Sequence, residues 1–350
     1  MKTVGGMFGL PPSLVPRFVW KPGDWLFLSE HGRNYANVRC GLFCLLDTLK
    51  PALLWLPSYG CPTLLEPVRA LSIPMRFYAV DGALQPSHGW LESVESGHAV
   101  LLIDYFGFAG DLDLSEALRQ KGAWVIEDAS QALLSRHVGT RADYVLFSPR
   151  KLVEVPDGGI VVTRGENPYP RPATGDGEPL TRWQQVLIEA ALRRREFDRY
   201  GDDRSWYEIF QRASSESLVG AYPMSDLSRS ILTSVIDYEE ARTRRRLNFR
   251  ILNERLNRWG LYRELPDGTT PLGYPIRTPR RNTVREELFA HRIFPPIHWE
   301  LDRHVPDLFQ PSLDLSREIM TIPCDQRYDV EAMERVAGVV VDCLGKHEHE

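Results

Sequence analysis

The first half of the chain alternates short apolar runs with amphipathic stretches. Residues 52–56, 75–80, 98–106, 123–126, 144–147 and 160–163 form runs of strand length. The run at 98–106 is nearly continuous in apolar residues, as expected of a strand buried on both faces. Residues 35–49, 67–71 and 114–120 carry helical spacing, the first ending before Pro51 and the last opening near Asp113 or Ser115. Strands that alternate with helices predict a mostly parallel sheet covered by helices.

The second half reads differently. Residues 168–179 are polar and rich in Pro and Gly, which predicts a loop. Residues 181–200 read as a helix whose basic tail, Arg193-Arg194-Arg195, suits a solvated face or a helix C-terminus. Residues 225–259 are the longest periodic stretch, with Leu227, Ile231, Val235, Tyr238, Leu247, Ile251 and Leu256 at roughly helical spacing and Gly260 as a stop. As one helix it would span about 50 Å. Residues 331–344 predict a terminal helix, and His347-Glu348-His349-Glu350 a solvated tail. Residues 1–30 read as an irregular arm of a kind that often packs on a partner subunit.

Composition narrows the class. At 350 residues, 43% hydrophobic and 25% charged, the chain is an ordinary globular sequence with room for a large and a smaller domain. A net charge of −5 gives no general case for nucleic-acid binding. No apolar run approaches the roughly 18 residues of a membrane span, and no signal peptide is expected. The five cysteines have no framework spacing. Cys40 and Cys44 could share a helix face, but two thiols do not make a metal site, so reduced thiols in a cytosolic chain are expected and no metal.

Candidate chemistry sits at strand ends. The run at 123–126 stops in Glu127-Asp128, followed by Ala129-Ser130-Gln131. The next run ends in Ser148, with Lys151 three residues on, and Gly158-Gly159 precedes the third. An acid, an amide, a hydroxyl and an amine are thus carried where open α/β sheets place their ligands. No Gly-x-Gly-x-x-Gly follows the first strand candidate, which disfavours a dinucleotide. An amine, a carboxylate and a hydroxyl together match what pyridoxal 5'-phosphate (PLP) needs: a Schiff-base partner, a partner for the ring nitrogen, and a phosphate ligand.

This stretch resembles the DegT-type sugar aminotransferases, a branch of the fold-type-I PLP enzymes. Their strand ends in Glu-Asp-Ala-x-Gln, and a Ser precedes the Schiff-base Lys and a Gly-Gly pair. Many members space Ser and Lys further apart than Ser148-Pro149-Arg150-Lys151 does. Further similarities are Pro57-Ser58-Tyr59-Gly60-Cys61-Pro62, Ile297-His298-Trp299 and Pro323-Cys324-Asp325-Gln326-Arg327-Tyr328. The family usually has an asparagine before the long helix that reaches the partner's phosphate. Here Gly220-Ala221-Tyr222 stands in its place.

The resemblance implies a large domain, residues 31–245, with a mostly parallel seven-stranded sheet, and a small α+β domain, residues 246–350, behind the arm at 1–30. It implies Lys151 as the Schiff-base and proton-shuttling lysine, Asp128 on the ring nitrogen, and Gln131 near the phenolate edge. Ser148 and a Gly32-Arg33-Asn34 turn feeding a helix would hold the phosphate; the competing reading of that turn is an ordinary N-cap with Asn34 as the cap. Tyr59 would cover the ring and His298 would face the substrate. The implied activity is transfer of an amino group from glutamate or glutamine to a nucleotide-linked keto-sugar, in polysaccharide or secondary-metabolite biosynthesis, by a homodimer. Arg277, Arg280, Arg281 and Arg285 are candidates for a sugar-linked diphosphate. Two alternatives stand beside this reading. One is another PLP enzyme such as a sugar dehydratase, whose kind typically has His where this chain keeps Lys151. The other is a non-catalytic regulatory homologue, which would not need all of Asp128, Gln131, Ser148 and Lys151.

Overall fold

The computed structural model describes residues 3–140, 142–175, 179–201, 203–216 and 218–346. The expected solvated tail at 347–350, and part of the loop expected at 168–179, lie outside them.

In chain order the elements are β1 (Val4–Gly5), β2 (Gly32–Tyr35), α1 (Val38–Leu49), β3 (Leu54–Pro57), α2 (Leu65–Ala70), β4 (Met75–Tyr78), β5 (Ala99–Ile103), α3 (Leu112–Gln120), β6 (Trp124–Asp128), β7 (Tyr144–Phe147) and β8 (Gly159–Thr163). Then follow α4 (Arg182–Tyr200), α5 (Ser205–Ser215), α6 (Asp226–Ser234), α7 (Tyr238–Leu256), β9 (Tyr274–Arg277), α8 (Arg281–Ala290), β10 (Ile293–Phe294), α9 (Gln310–Glu318), β11 (Ile319–Ile322) and α10 (Val330–Lys346).

Seven strands form one sheet in the order β2-β8-β7-β6-β5-β3-β4. β3 to β7 run parallel, β8 is antiparallel to β7, and β2 is antiparallel to β8. Every residue of β5, β7 and β8 is buried, as their continuous apolar runs require. Register sets the site: Ile103 pairs with Asp128, Asp128 with Leu146, and Phe147 with Ile160. The C-terminal ends of β5, β6 and β7 therefore meet the start of β8 along one edge. The C-terminal part builds on β9 and β11, which pair antiparallel, and β10 pairs with β1 of the arm.

Two expectations change. Gly32, Arg33 and Asn34 do not form a turn; they extend along β8 as the sheet's edge strand. A backbone that pairs with β8 satisfies its polar groups better than an open turn would. α1 instead starts at Asn37, whose side chain accepts the Cys40 N–H at 2.9 Å. The long helix expected over 225–259 is broken into α6 and α7. Ser225 caps the first and Asp237 the second. The arm occupies the break: the N–H groups of Arg17 and Phe18 donate to the Ser234 carbonyl, and the Trp20 indole donates to that of Ile236. The carbonyls freed by ending α6 are thus satisfied within the chain.

One buried carboxylate joins the two halves. Asp157, immediately before the Gly pair, is fully buried. It accepts from the Ser225 N–H (2.9 Å) and hydroxyl (2.5 Å), from the Ser228 hydroxyl, and from Gln184 Nε2 (2.9 Å). Gln184 also closes the capping box of α4 with Thr181. Asp157→Ala leaves these donors buried without an acceptor, and hydrogen bonds to a charged group are worth about 1.5–3 kcal/mol each. The expected loss is roughly 3 kcal/mol or more, measured as a lower denaturant midpoint. A loss under about 0.5 kcal/mol, the range of an ordinary surface substitution, would contradict this role.

Candidate active site

β6 carries two acids with opposite surroundings, because successive strand side chains face opposite sides. Glu127 accepts the Gly139 N–H at 2.9 Å, and burial, then Asp104, raises its pKa well above the carboxylate range. Asp128 is buried on the other face, where its carboxylate accepts the Ser130 N–H at 2.9 Å. The charge of Asp128 instead reaches Tyr105.

Gln131 is buried in the loop that follows. Its carbonyl accepts the Phe106 N–H at 2.6 Å, which secures the turn after β5, where Phe106 has a φ of 56°. Its Nε2 is buried and makes no hydrogen bond among the described residues. A buried amide left with a free donor marks a place where a polar ligand group fits.

Lys151 ends a single 3₁₀ turn, Pro149–Lys151, that starts from buried Ser148. The Lys151 N–H donates to the Ser148 carbonyl at 3.1 Å. The Gly pair lets this end of the sheet close on α1. Gly158 has a φ of +133°, which favours glycine. A Cβ on Gly159 would lie 2.1 Å from the Asn37 carbonyl carbon and 2.3 Å from the Val38 nitrogen. Ser148, the Gly pair and the first turn of α1 thus converge. A helix start offers free N–H groups and a positive dipole end to an anion.

Lys151 and His298 line one cavity of about 290 Å³. Its walls include Thr321 and Pro323 of the C-terminal part and Met7 and Phe8 of the arm. The His298 Nδ1 lies 2.9 Å from the Thr321 hydroxyl. Burial, then the charge of Lys151, lowers the His298 pKa to about 3, so its ring is neutral near pH 7. Tyr59 is fully buried beside it. The Tyr59 hydroxyl donates to the His298 carbonyl, and its ring lies 5.8 Å from that of Trp299 and 5.9 Å from that of Tyr105.

The structure thus brings Lys151 and His298 to one cavity, joins Tyr59 to His298, and sets Asp128, Gln131 and Ser148 on the same sheet edge. Arg33 and Asn34 are exposed on β2, Arg33 over the Tyr169 ring, away from that cavity. The arginines marked for a diphosphate mostly serve the fold. Arg277 pairs with Glu318 at 2.5 Å, Arg281 donates to the Ser316 carbonyl, and Arg285 donates to the Pro295 carbonyl at 2.8 Å. Sequence reasoning missed the arm as a cavity wall. A two-residue strand such as β1 carries no periodic signal.

A mostly parallel seven-stranded sheet, with an acid and a lysine on adjacent strand ends and a smaller C-terminal part over them, defines a fold-type-I PLP-dependent transferase. Residues 91–341 match the model of the DegT/DnrJ/EryC1/StrS aminotransferase family, and the chain belongs to that family as a PLP-dependent aminotransferase. Among solved structures it is similar to the aminotransferase TlmJ from Streptoalloteichus hindustanus, at 21% identity and a TM-score of 0.66, over 91% of this chain and 86% of that one. It is also similar to a DegT DnrJ EryC1 StrS aminotransferase from Brucella abortus, at 19% identity and a TM-score of 0.65, over 91% and 86%. Helicobacter pylori PseC, an aminotransferase involved in the biosynthesis of pseudoaminic acid, aligns at 12% identity and a TM-score of 0.66, over 90% and 87%. No curated protein matches the sequence significantly.

The buried state of His298 sets a pH dependence. Between about pH 6.5 and about 3 the unfolded chain takes up a proton that the folded imidazole refuses. Stability from this group is therefore present above pH 6.5 and falls as the medium is acidified toward pH 3. His298→Gln removes that contribution. The stability difference, wild type minus variant, is expected to shrink as pH drops from 7 to 4 in denaturant titrations. A difference independent of pH would show that His298 titrates freely in the fold.

Proposed function

We propose that this aminotransferase moves an amino group from glutamate or glutamine to a nucleotide-linked keto-sugar, in polysaccharide or secondary-metabolite biosynthesis. The observation that carries the reading is Lys151 at the wall of a cavity shared with His298, in a chain that belongs to an aminotransferase family. The cavity shares Arg327 as a wall residue with a neighbouring one of about 450 Å³. That adjacency supports a substrate larger than a free amino acid.

The site residues fit the cofactor, since Asp128 is a buried acid and Gln131 Nε2 is a buried donor without a partner. When bound, PLP supplies a ring that accepts electrons and takes up the amino group. Lys151 would hold the cofactor through its Nζ and, as a free amine, would carry a proton to or from the substrate carbon. Asp128 keeps the ring nitrogen protonated. Gln131 Nε2 donates to the phenolate edge. Ser148 and the first turn of α1 hold the phosphate, the latter in place of the Gly32-Arg33-Asn34 turn. Tyr59 flanks the ring, and neutral His298 orients the substrate. In this reading residues 31–245 bind the cofactor and residues 246–350 close over it.

The same reading makes the protein a cytosolic homodimer. The five cysteines are free thiols, which suits a reducing compartment. Leu14, Val15 and Val19 of the arm are 42%, 65% and 93% exposed, an apolar stretch that a partner subunit could cover. No helix of the described residues is long and apolar enough to cross a membrane.

A half-reaction tests the substrate class. Protein preloaded with the aminated cofactor is mixed with nucleotide-linked keto-sugars, and the absorbance of the aminated form is followed. It is expected to disappear with at least one such sugar and not with the matching free sugar. Loss only with small 2-keto acids would leave an aminotransferase of another substrate class.

A further inference from the structure

The turn that presents Lys151 contains a second cation that the fold does not use. Arg150 makes no hydrogen bond or ion pair among the described residues, and its Nε is shut off from solvent. The other two guanidiniums of the Lys151 cavity are fully engaged. Arg245 donates to the Gln326 side chain and to the carbonyls of Leu152, Pro271 and Leu272. Arg327 pairs with Asp325 at 2.7 Å and donates to the carbonyls of Gly6 and Met7. Buried cations are ordinarily paired, because desolvation without a partner is costly.

The surroundings of Arg150 make the imbalance larger. Burial, and next the charge of Arg39, lowers its pKa to about 10. Arg39 sits in the first turn of α1, the helix start that the Gly pair approaches. Asp157 is fully committed to Ser225, Ser228 and Gln184. Arg39 itself pairs with Glu66 at 2.8 Å, which leaves the Arg150 guanidinium, the α1 N-terminus and the Ser148 hydroxyl without a committed anion. A carboxylate could meet one guanidinium. A phosphate monoester, with three acceptor oxygens and up to two charges, suits the whole set.

We propose that Arg150 is a phosphate-holding residue of this chain, donating its guanidinium to the cofactor phosphate from the residue next to Lys151. The proposal rests on the cofactor reading above. It gives Arg150 a positioning role: by fixing the phosphate it fixes the ring against Lys151. It also assigns the charge balance to groups within one subunit, as Ala221 has no side-chain donor for a phosphate.

The test compares wild type with Arg150→Gln and Arg150→Lys, titrating each apoprotein with PLP and, separately, with pyridoxal, which lacks the phosphate. Absorbance reads binding. Arg150→Gln is expected to weaken PLP at least ~10-fold, the scale of a charge-assisted hydrogen bond, while pyridoxal binds as in wild type. Arg150→Lys should recover part of the loss. Apo Arg150→Gln should melt no lower than apo wild type, since it loses an uncompensated cation. PLP affinity within twofold of wild type overturns the proposal, and if the amino donor's KM rises instead, Arg150 serves a carboxylate. Equal weakening of PLP and pyridoxal, or a lower melting temperature of the apo variant, also overturns it, by assigning Arg150 to the fold. If wild type itself binds no PLP, the cofactor reading fails first.

Discussion

The buried carboxylate of Asp157 is the joint on which the arrangement depends. It stands one residue before the Gly pair, where the chain turns from the Lys151 loop into β8. Its acceptors tie together the start of α6, the first turn of α4 and the entry to β8. A carboxylate at the entry to β8 with donors from two helices fixes the three elements' relative positions more tightly than apolar packing would, because each bond has direction. With β8 so placed, Gly159 can approach α1 closely enough to exclude any side chain. The lysine turn, the sheet edge and a helix N-terminus are held together as a consequence.

The C-terminal part closes over this edge by different means. Tyr59, Tyr105 and Trp299 form an aromatic cluster, and the Tyr59 hydroxyl links it to the His298 backbone. Arginines do the rest. Arg194 donates to the Gly5 carbonyl, and Arg327 holds the Gly6 and Met7 carbonyls while lying 4.2 Å from the Phe8 ring centre. The arm is thereby fixed as a wall of the Lys151 cavity. Arginine suits this work because its planar fork serves several carbonyls at once and stacks on aromatic faces.

Much of the sheet was legible in the sequence. The apolar runs at 123–126, 144–147 and 160–163 correspond to β6, β7 and β8, and the helix expected over 181–200 is α4. The errors share a cause. Asn34 and Asn37 both follow the pattern of a helix cap, and only the unpaired edge of β8, formed more than a hundred residues later, selects Asn37. The periodicity of 225–259 survives a three-residue break, so the sequence conceals it. The groups that stabilise the break come from Arg17, Phe18 and Trp20 at the other end of the chain. Arg150 is silent in the sequence for the same reason: a lack of partners is a property of the folded molecule. The strand-end positions of Asp128, Gln131, Ser148 and Lys151 are read locally, whereas the walls of the Lys151 cavity are assembled from both termini.

The central claim is that the amine on the β7 side of this sheet edge holds the cofactor. It is tested most directly by reducing PLP-loaded protein with borohydride, digesting it, and mapping the pyridoxyl group by mass spectrometry. The account predicts one modified peptide, with the group on Lys151, and no fixation at that peptide in Lys151→Ala. A pyridoxyl group mapped to Lys50 or Lys121, or spread over surface lysines with Lys151 unmodified, would contradict it.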